Sequence, residues 1–154
     1  MSAAAGPPRS KTLATWIALV GGALGLHRFY LRGFRDLPGW LYVAPTLLGW
    51  VGVQRMRQIG MDDRLAWLLT PLLGLSITAA MASAIVYGLT SDDAWNRRFN
   101  RSAAAPPGGW AAVLGVVIAL ALGTTALVAT IAFSAQRVFE SLVEAPPPGG
   151  PAAK

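Results

Sequence analysis

Residues Ser102 to Gln136 read SAAAPPGGWAAVLGVVIALALGTTALVATIAFSAQ, 35 residues without an Asp, Glu, Lys or Arg. Leu65 to Ser91, LAWLLTPLLGLSITAAMASAIVYGLTS, is a second uncharged run, of 27. A helix needs roughly 20 apolar residues to cross the hydrocarbon core of a bilayer. A surface helix of a soluble domain keeps one polar face, and neither run has one. The segments assigned to lipid here are 65–89 and 110–135.

The first half of the chain is less regular. Thr12 to Leu26 is uncharged for 15 residues before His27 and Arg28 interrupt it. Extending to Leu31 gives a span over 12–31, provided that His27 and Arg28 snorkel to the headgroups. Leu37 to Gln54 is uncharged for 18 residues, a span over 37–54. Trp40 and Tyr42 at its start and Trp50 near its end suit the two interfacial aromatic belts. Pro45 lies inside it and is expected to kink it. The chain thus reads as an all-α integral membrane protein of four transmembrane helices, arranged as two helical hairpins over 12–60 and 61–136. A polar linker, 90–109, joins the last two helices. Tails are assigned to 1–11 and 137–154, and the small-residue and Pro-Gly-Ala-rich stretches Met1 to Ser10 and Glu144 to Lys154 within them are expected to be disordered. The first run could also be read as a signal peptide, with Arg9 and Lys11 before it and Ala23-Leu24-Gly25 as a small-residue cleavage site.

Composition supports the membrane class. Hydrophobic residues make up 54% and charged residues 13%, about half the charged share of a typical soluble domain. The net charge is +6, but the basic residues stand in short groups between apolar runs. A nucleic-acid binder would gather them on one face, so anionic lipid headgroups are the expected partners and nucleic acid is not. With no cysteine in the chain there is no disulfide framework, thiolate metal site or thiol nucleophile.

The most distinctive stretch is Gly21-Gly22-Ala23-Leu24-Gly25-Leu26-His27-Arg28-Phe29-Tyr30-Leu31-Arg32-Gly33. It resembles the TM-two (two-transmembrane-helix) domain family, whose marker is Gly-x-x-Gly-x-[His or Asp]-Arg-Phe-Tyr between two closely spaced helices. Gly22, Gly25, His27, Arg28, Phe29 and Tyr30 match it position by position, and the resemblance covers residues 11–60. Two departures stand out: Arg32 precedes Gly33 where the family places Gly, and Gln54-Arg55-Met56-Arg57 replaces an acid near the end of the second helix. The resemblance implies a helical hairpin and argues against signal cleavage, which would discard the first helix.

The residues also have a reading of their own. Gly21 and Gly25 form a Gly-x-x-x-Gly step for close helix approach. His27, Arg28, Phe29, Tyr30, Arg32, Arg35 and Trp40 are expected to anchor the turn at headgroup depth. Trp95 and Phe99, flanked by Arg97, Arg98 and Arg101, fit either a short interfacial helix or a loop touching lipid. Small residues recur every fourth position, as Ser76, Ala80, Ala84 and Gly88, and again as Ala111, Gly115, Ala119 and Gly123. These are packing faces, and their extent favours a further membrane subunit or a second copy as partner.

No assembled catalytic or metal-binding set is present. His27 has no second ligand in the sequence near it. Asp62-Asp63 and Asp92-Asp93 stand at the start of helices or loops beside the spans, and Asp62-Asp63 precedes the third helix, where negative charge suits its N-terminus. No span carries an ionisable residue at its middle, as ion and proton pathways usually require. The chain is therefore expected to be a non-enzymatic, cofactor-free accessory or scaffolding subunit of the inner (cytoplasmic) membrane. The alternative is a small transporter or channel with its path between the hairpins. With four spans, six basic residues face seven across the bilayer, and the His-Arg-Phe-Tyr loop is read as cytoplasmic from its three arginines. The matching spacing of Arg28-Phe29 to Trp40 and of Arg98-Phe99 to Trp110 raises a tandem duplication of hairpins, with chance the simpler account.

Overall fold

The computed structural model describes residues 7–101 and 104–144. Among them every regular element is helical. The expected disorder of residues 1–6 and 145–154 lies outside the described residues.

The centre of the bundle is α4 (Arg64–Leu89). The Asp63 side chain starts it by accepting from the Leu65 N–H at 3.1 Å, an N-cap that satisfies one of the free donors of the first turn. The uncharged run then continues the helix through Pro71 to Leu89. The other long element is α6 (Trp110–Glu144), which begins directly after Pro106-Pro107-Gly108-Gly109. These two helices are long and apolar enough to cross a membrane, and only 22% of the most apolar window of each is buried inside the protein. The core helix of a soluble domain would be mostly covered. At 1.5 Å per residue α6 is roughly 52 Å long. It runs past the expected end at 135, so residues 137–144 are its last turns rather than a tail.

The expected span over 12–31 is not one helix. It breaks into α1 (Lys11–Gly21), a 3₁₀ turn (Gly22–Leu24) and α2 (Leu26–Arg32). Gly25 joins the last two with φ +72°, a left-handed conformation that glycine adopts without a Cβ penalty. The chain reverses there. Lys11 at the start of α1 reaches the Thr90 carbonyl at 3.0 Å. A Cβ on Gly22 would lie 2.7 Å from that of Ala80, ten residues further down α4, or roughly 15 Å. From that depth α2 climbs back, so that Leu31 packs with Ala14 and Trp95. Both ends of the segment lie at the same end of the bundle.

From there α3 (Leu37–Ile59) runs the length of α4 in the opposite direction. Tyr42 meets Ser83 at 3.3 Å, Gly52 approaches the Thr70 N–H, and Arg55 bonds Asp63 at 2.7 Å. The helix passes through Pro45 and extends beyond the expected end at residue 54. It has the length of a span but, with Arg55 and Arg57 inside it, is less apolar than α4 and α6. The structure supports two crossing helices and not the four expected.

Helix α6 also runs opposite to α4. Gly123 faces Met81, Gly74 faces Thr130, and the Arg137 guanidinium sits 5.1 Å above the Trp67 ring. The stretch 90–109, expected as a linker, contains a short helix α5 (Asp92–Phe99), started by the Ser91 side chain accepting from Ala94.

Candidate functional site

The charged residues gather at the end where α1 starts, α2 ends and α5 lies. Asp36 accepts from Arg28 Nε at 2.6 Å and lies 3.6 Å from Arg32. Arg28 is the main reason that the Asp36 carboxyl sits below the usual carboxylate range. The pair closes the turn from α2 into α3. Lys11, buried to 8% exposure, bonds Asp92 at 2.6 Å, and Asp92 also accepts from the Gly108 N–H at 3.1 Å. One carboxylate thereby ties together α1, α5 and the approach to α6, and Lys11 holds it below its ordinary value. At the opposite end Arg55 does the same for Asp63.

The residues expected to anchor at headgroup depth divide into three groups. His27 is fully buried, its ring 5.2 Å from Tyr42 and 5.7 Å from Tyr87. Trp95 is 2% exposed and donates to the Arg9 carbonyl at 2.7 Å. Neither side chain reaches lipid headgroups, because each is enclosed by α1, α2, α3 or α4, which the sequence did not place around them. Arg28, Phe29, Tyr30 and Phe99 are half-buried. Phe29 stacks on Phe34 and meets Trp40 at a tilt, and the Tyr30 hydroxyl accepts from the Ser10 N–H. Arg32, Arg35 and Trp40 are exposed.

The small-residue faces all point into the chain's own bundle. Ser76, Ala80 and Ala84 are buried, and Gly88 faces Val116 and the Ala112 carbonyl. On α6 the buried stripe is Ala112, Gly115, Ala119 and Gly123, and Ala111, expected in it, is exposed. A Cβ on Gly115 would lie 2.9 Å from Thr15, and one on Gly123 2.8 Å from Met81. Gly21 and Gly25 do not form one helical step, because the helix ends between them; Gly21 covers Leu26 and Gly25 packs on the Gly39 carbonyl. Sequence reading passed over Gly39, Thr46, Gly49 and Gly52, the buried stripe of α3. The Gly49-x-x-Gly52 spacing was the available signal. Gly49 faces the backbone of Leu73, the closest approach in that seam.

No family model, curated protein or solved structure matches this chain. Among the described residues no group of three or more His, Cys, Asp or Glu could hold a metal ion.

Proposed function

We propose that this chain is a structural, non-enzymatic membrane protein, a small accessory or scaffolding subunit of the inner (cytoplasmic) membrane. The observation that carries the reading is the filling of much of the α3–α4 and α4–α6 seams by Gly, Ala, Ser or Thr. Such seams give a rigid bundle and favour a structural role over a permeation path between hairpins. Because the small faces are used internally, a partner would meet other surfaces. The end of α6 offers one, since Val138, Phe139, Leu142 and Val143 are 57–84% exposed beyond the Arg137–Trp67 contact.

In the bilayer, we propose three crossings, α3, α4 and α6, with α1–α2 as a re-entrant hairpin of about half depth. Irregular backbone at that depth is tolerated when it is buried in protein. The Thr46 hydroxyl supports this by donating to the Ala23 carbonyl at the apex, 2.5 Å away. In this topology, among the described residues, Arg9, Lys11, Arg28, Arg32, Arg35, Arg97, Arg98 and Arg101 share one side, against Arg55, Arg57, Arg64 and Arg137 on the other. Eight against four assigns the first side to the cytoplasm by the positive-inside rule. The likeness to the TM-two family is retained within this proposal: Gly22 to Tyr30 would form the apex and return of the hairpin. Native mass spectrometry after mild detergent extraction tests the subunit reading. A complex or a homo-oligomer is expected, and a monomer under all extraction conditions would remove it.

A further inference from the structure

We infer that the cleft between α2, the end of α4 and α5 is a binding site for a phosphate-bearing anion. Its volume is about 160 Å³, and Arg28, Arg32 and Arg98 line it together with Tyr87, Trp95 and Phe99. Pockets for drug-sized ligands start at roughly 300 Å³, so this cleft fits one small charged group.

Charge favours an anion. Three guanidinium groups face the cleft, and the only carboxylate bonded to any of them among the described residues is Asp36, shared by Arg28 and Arg32. Arg98 has no acidic partner among the described residues. On its own helix the acids Asp92 and Asp93 stand in the first turn, at the far end of α5, and Asp92 is bonded to Lys11. The cleft thus carries an excess of positive charge beside a planar-fork donor set, which matches phosphate oxygens bidentately.

The site is also held in place. The Arg98 guanidinium lies 5.4 Å from the centre of the Phe99 ring, a cation–π placement that restrains it. Beneath, Trp95 is fixed by its bond to the Arg9 carbonyl and by the Phe99 ring 4.5 Å away. Arg28 is oriented by Asp36. A donor already held in place, as Arg28 is by Asp36, loses less entropy when the anion arrives.

The phosphate could belong to a lipid headgroup or to a free anion. Only the lipid source rests on the membrane reading above. The test uses the purified full chain in neutral detergent, titrated with inorganic phosphate and, separately, with a short-chain phosphatidylglycerol below its micelle concentration. Saturable binding of either probe is expected: the lipid alone identifies a headgroup site, and both together a general phosphate site. Arg98→Gln and Arg32→Gln should each weaken it about tenfold or more, as loss of a charge-assisted hydrogen bond does. Arg35→Gln, exposed at the same end but outside the cleft, should bind as the unmodified chain does. Absence of saturation with both probes, or equal losses in all three variants, would overturn the site. The titration needs no bilayer, so its failure is separable from a failure of the proposed topology.

Discussion

The Ser10 backbone N–H donates to the Tyr30 hydroxyl at 3.1 Å, across 20 residues of sequence. A continuous helix between them would hold the two ends roughly 30 Å apart. Their contact makes the segment a closed loop, and it is the reason that Lys11 and Arg32 stand at one end of the bundle.

That closure predicts the sidedness of the chain. Because the protein lacks cysteine, single cysteines can be introduced for labelling by a membrane-impermeant thiol reagent. Ser10→Cys and Arg35→Cys should label from the same side, and Asp62→Cys and Ser141→Cys from the other. Opposite sidedness of positions 10 and 35 would restore the four-span arrangement.

Gly25→Ala should destabilise the protein more than most glycine substitutions. It places a side chain at φ +72° and drives its Cβ into the Gly39 carbonyl. The left-handed conformation alone costs about 1–2 kcal/mol, and the collision adds to it. Gly109→Ala, with nothing within 4 Å of its Cβ, should be close to neutral. Thermal unfolding in detergent measures both; equal midpoints would show that the reversal does not depend on Gly25.

Acid should loosen both ends of the bundle. The carboxyls of Asp36, Asp63 and Asp92 are held below the ordinary value of 3.8 by Arg28, Arg55 and Lys11 respectively. A group whose folded pKa is depressed stabilises the fold above its unfolded value, and that stability is lost as pH falls through the folded one. The unfolding midpoint should therefore hold steady from about pH 7 to about pH 5 and drop below about pH 4. Asp92→Asn should already have a lower midpoint at neutral pH and lose less on acidification. A midpoint independent of pH down to about 3 would contradict these ion pairs.

His27→Leu should leave stability within about 1 kcal/mol of the unmodified protein. Neither ring nitrogen of this buried side chain has a hydrogen-bond partner among the described residues, so an apolar replacement removes no bond. A loss of more than about 3 kcal/mol would mean that the ring is bonded to something the helices do not supply.

The two long helices were legible because lipid imposes a simple rule: an uncharged run of sufficient length becomes a helix. Asp63 as a cap was legible for a similarly local reason. The course of residues 11–32 was not, since a lack of charge sets the environment of a segment and not its direction. The signal lay in Gly21-Gly22 and Gly25, where three glycines within five positions weaken a helix. The Gly21-x-x-x-Gly25 spacing alone fits a packing surface for another helix equally well. The burial of His27 and Trp95 depends on contacts with Tyr42, Tyr87, Leu31 and Arg9, distant in sequence. Nothing local marks an aromatic residue beside arginines as interior.

The fold-back has a consequence for synthesis. The hairpin is made before its partners: Gly22 rests on Ala80, and Thr15 on Gly115. Ala18 shares its cluster with Ala84 and Ala119. Nascent α1 therefore has no surface to dock on, and the helices able to insert unaided, α4 and α6, are the ones still to come. In the proposed topology, assembly would run from the later helices back to the earlier ones, with the hairpin waiting at the interface until its seat exists. A chain truncated before Trp110 should leave a cysteine at position 15 open to thiol labelling, whereas the full-length chain should protect it.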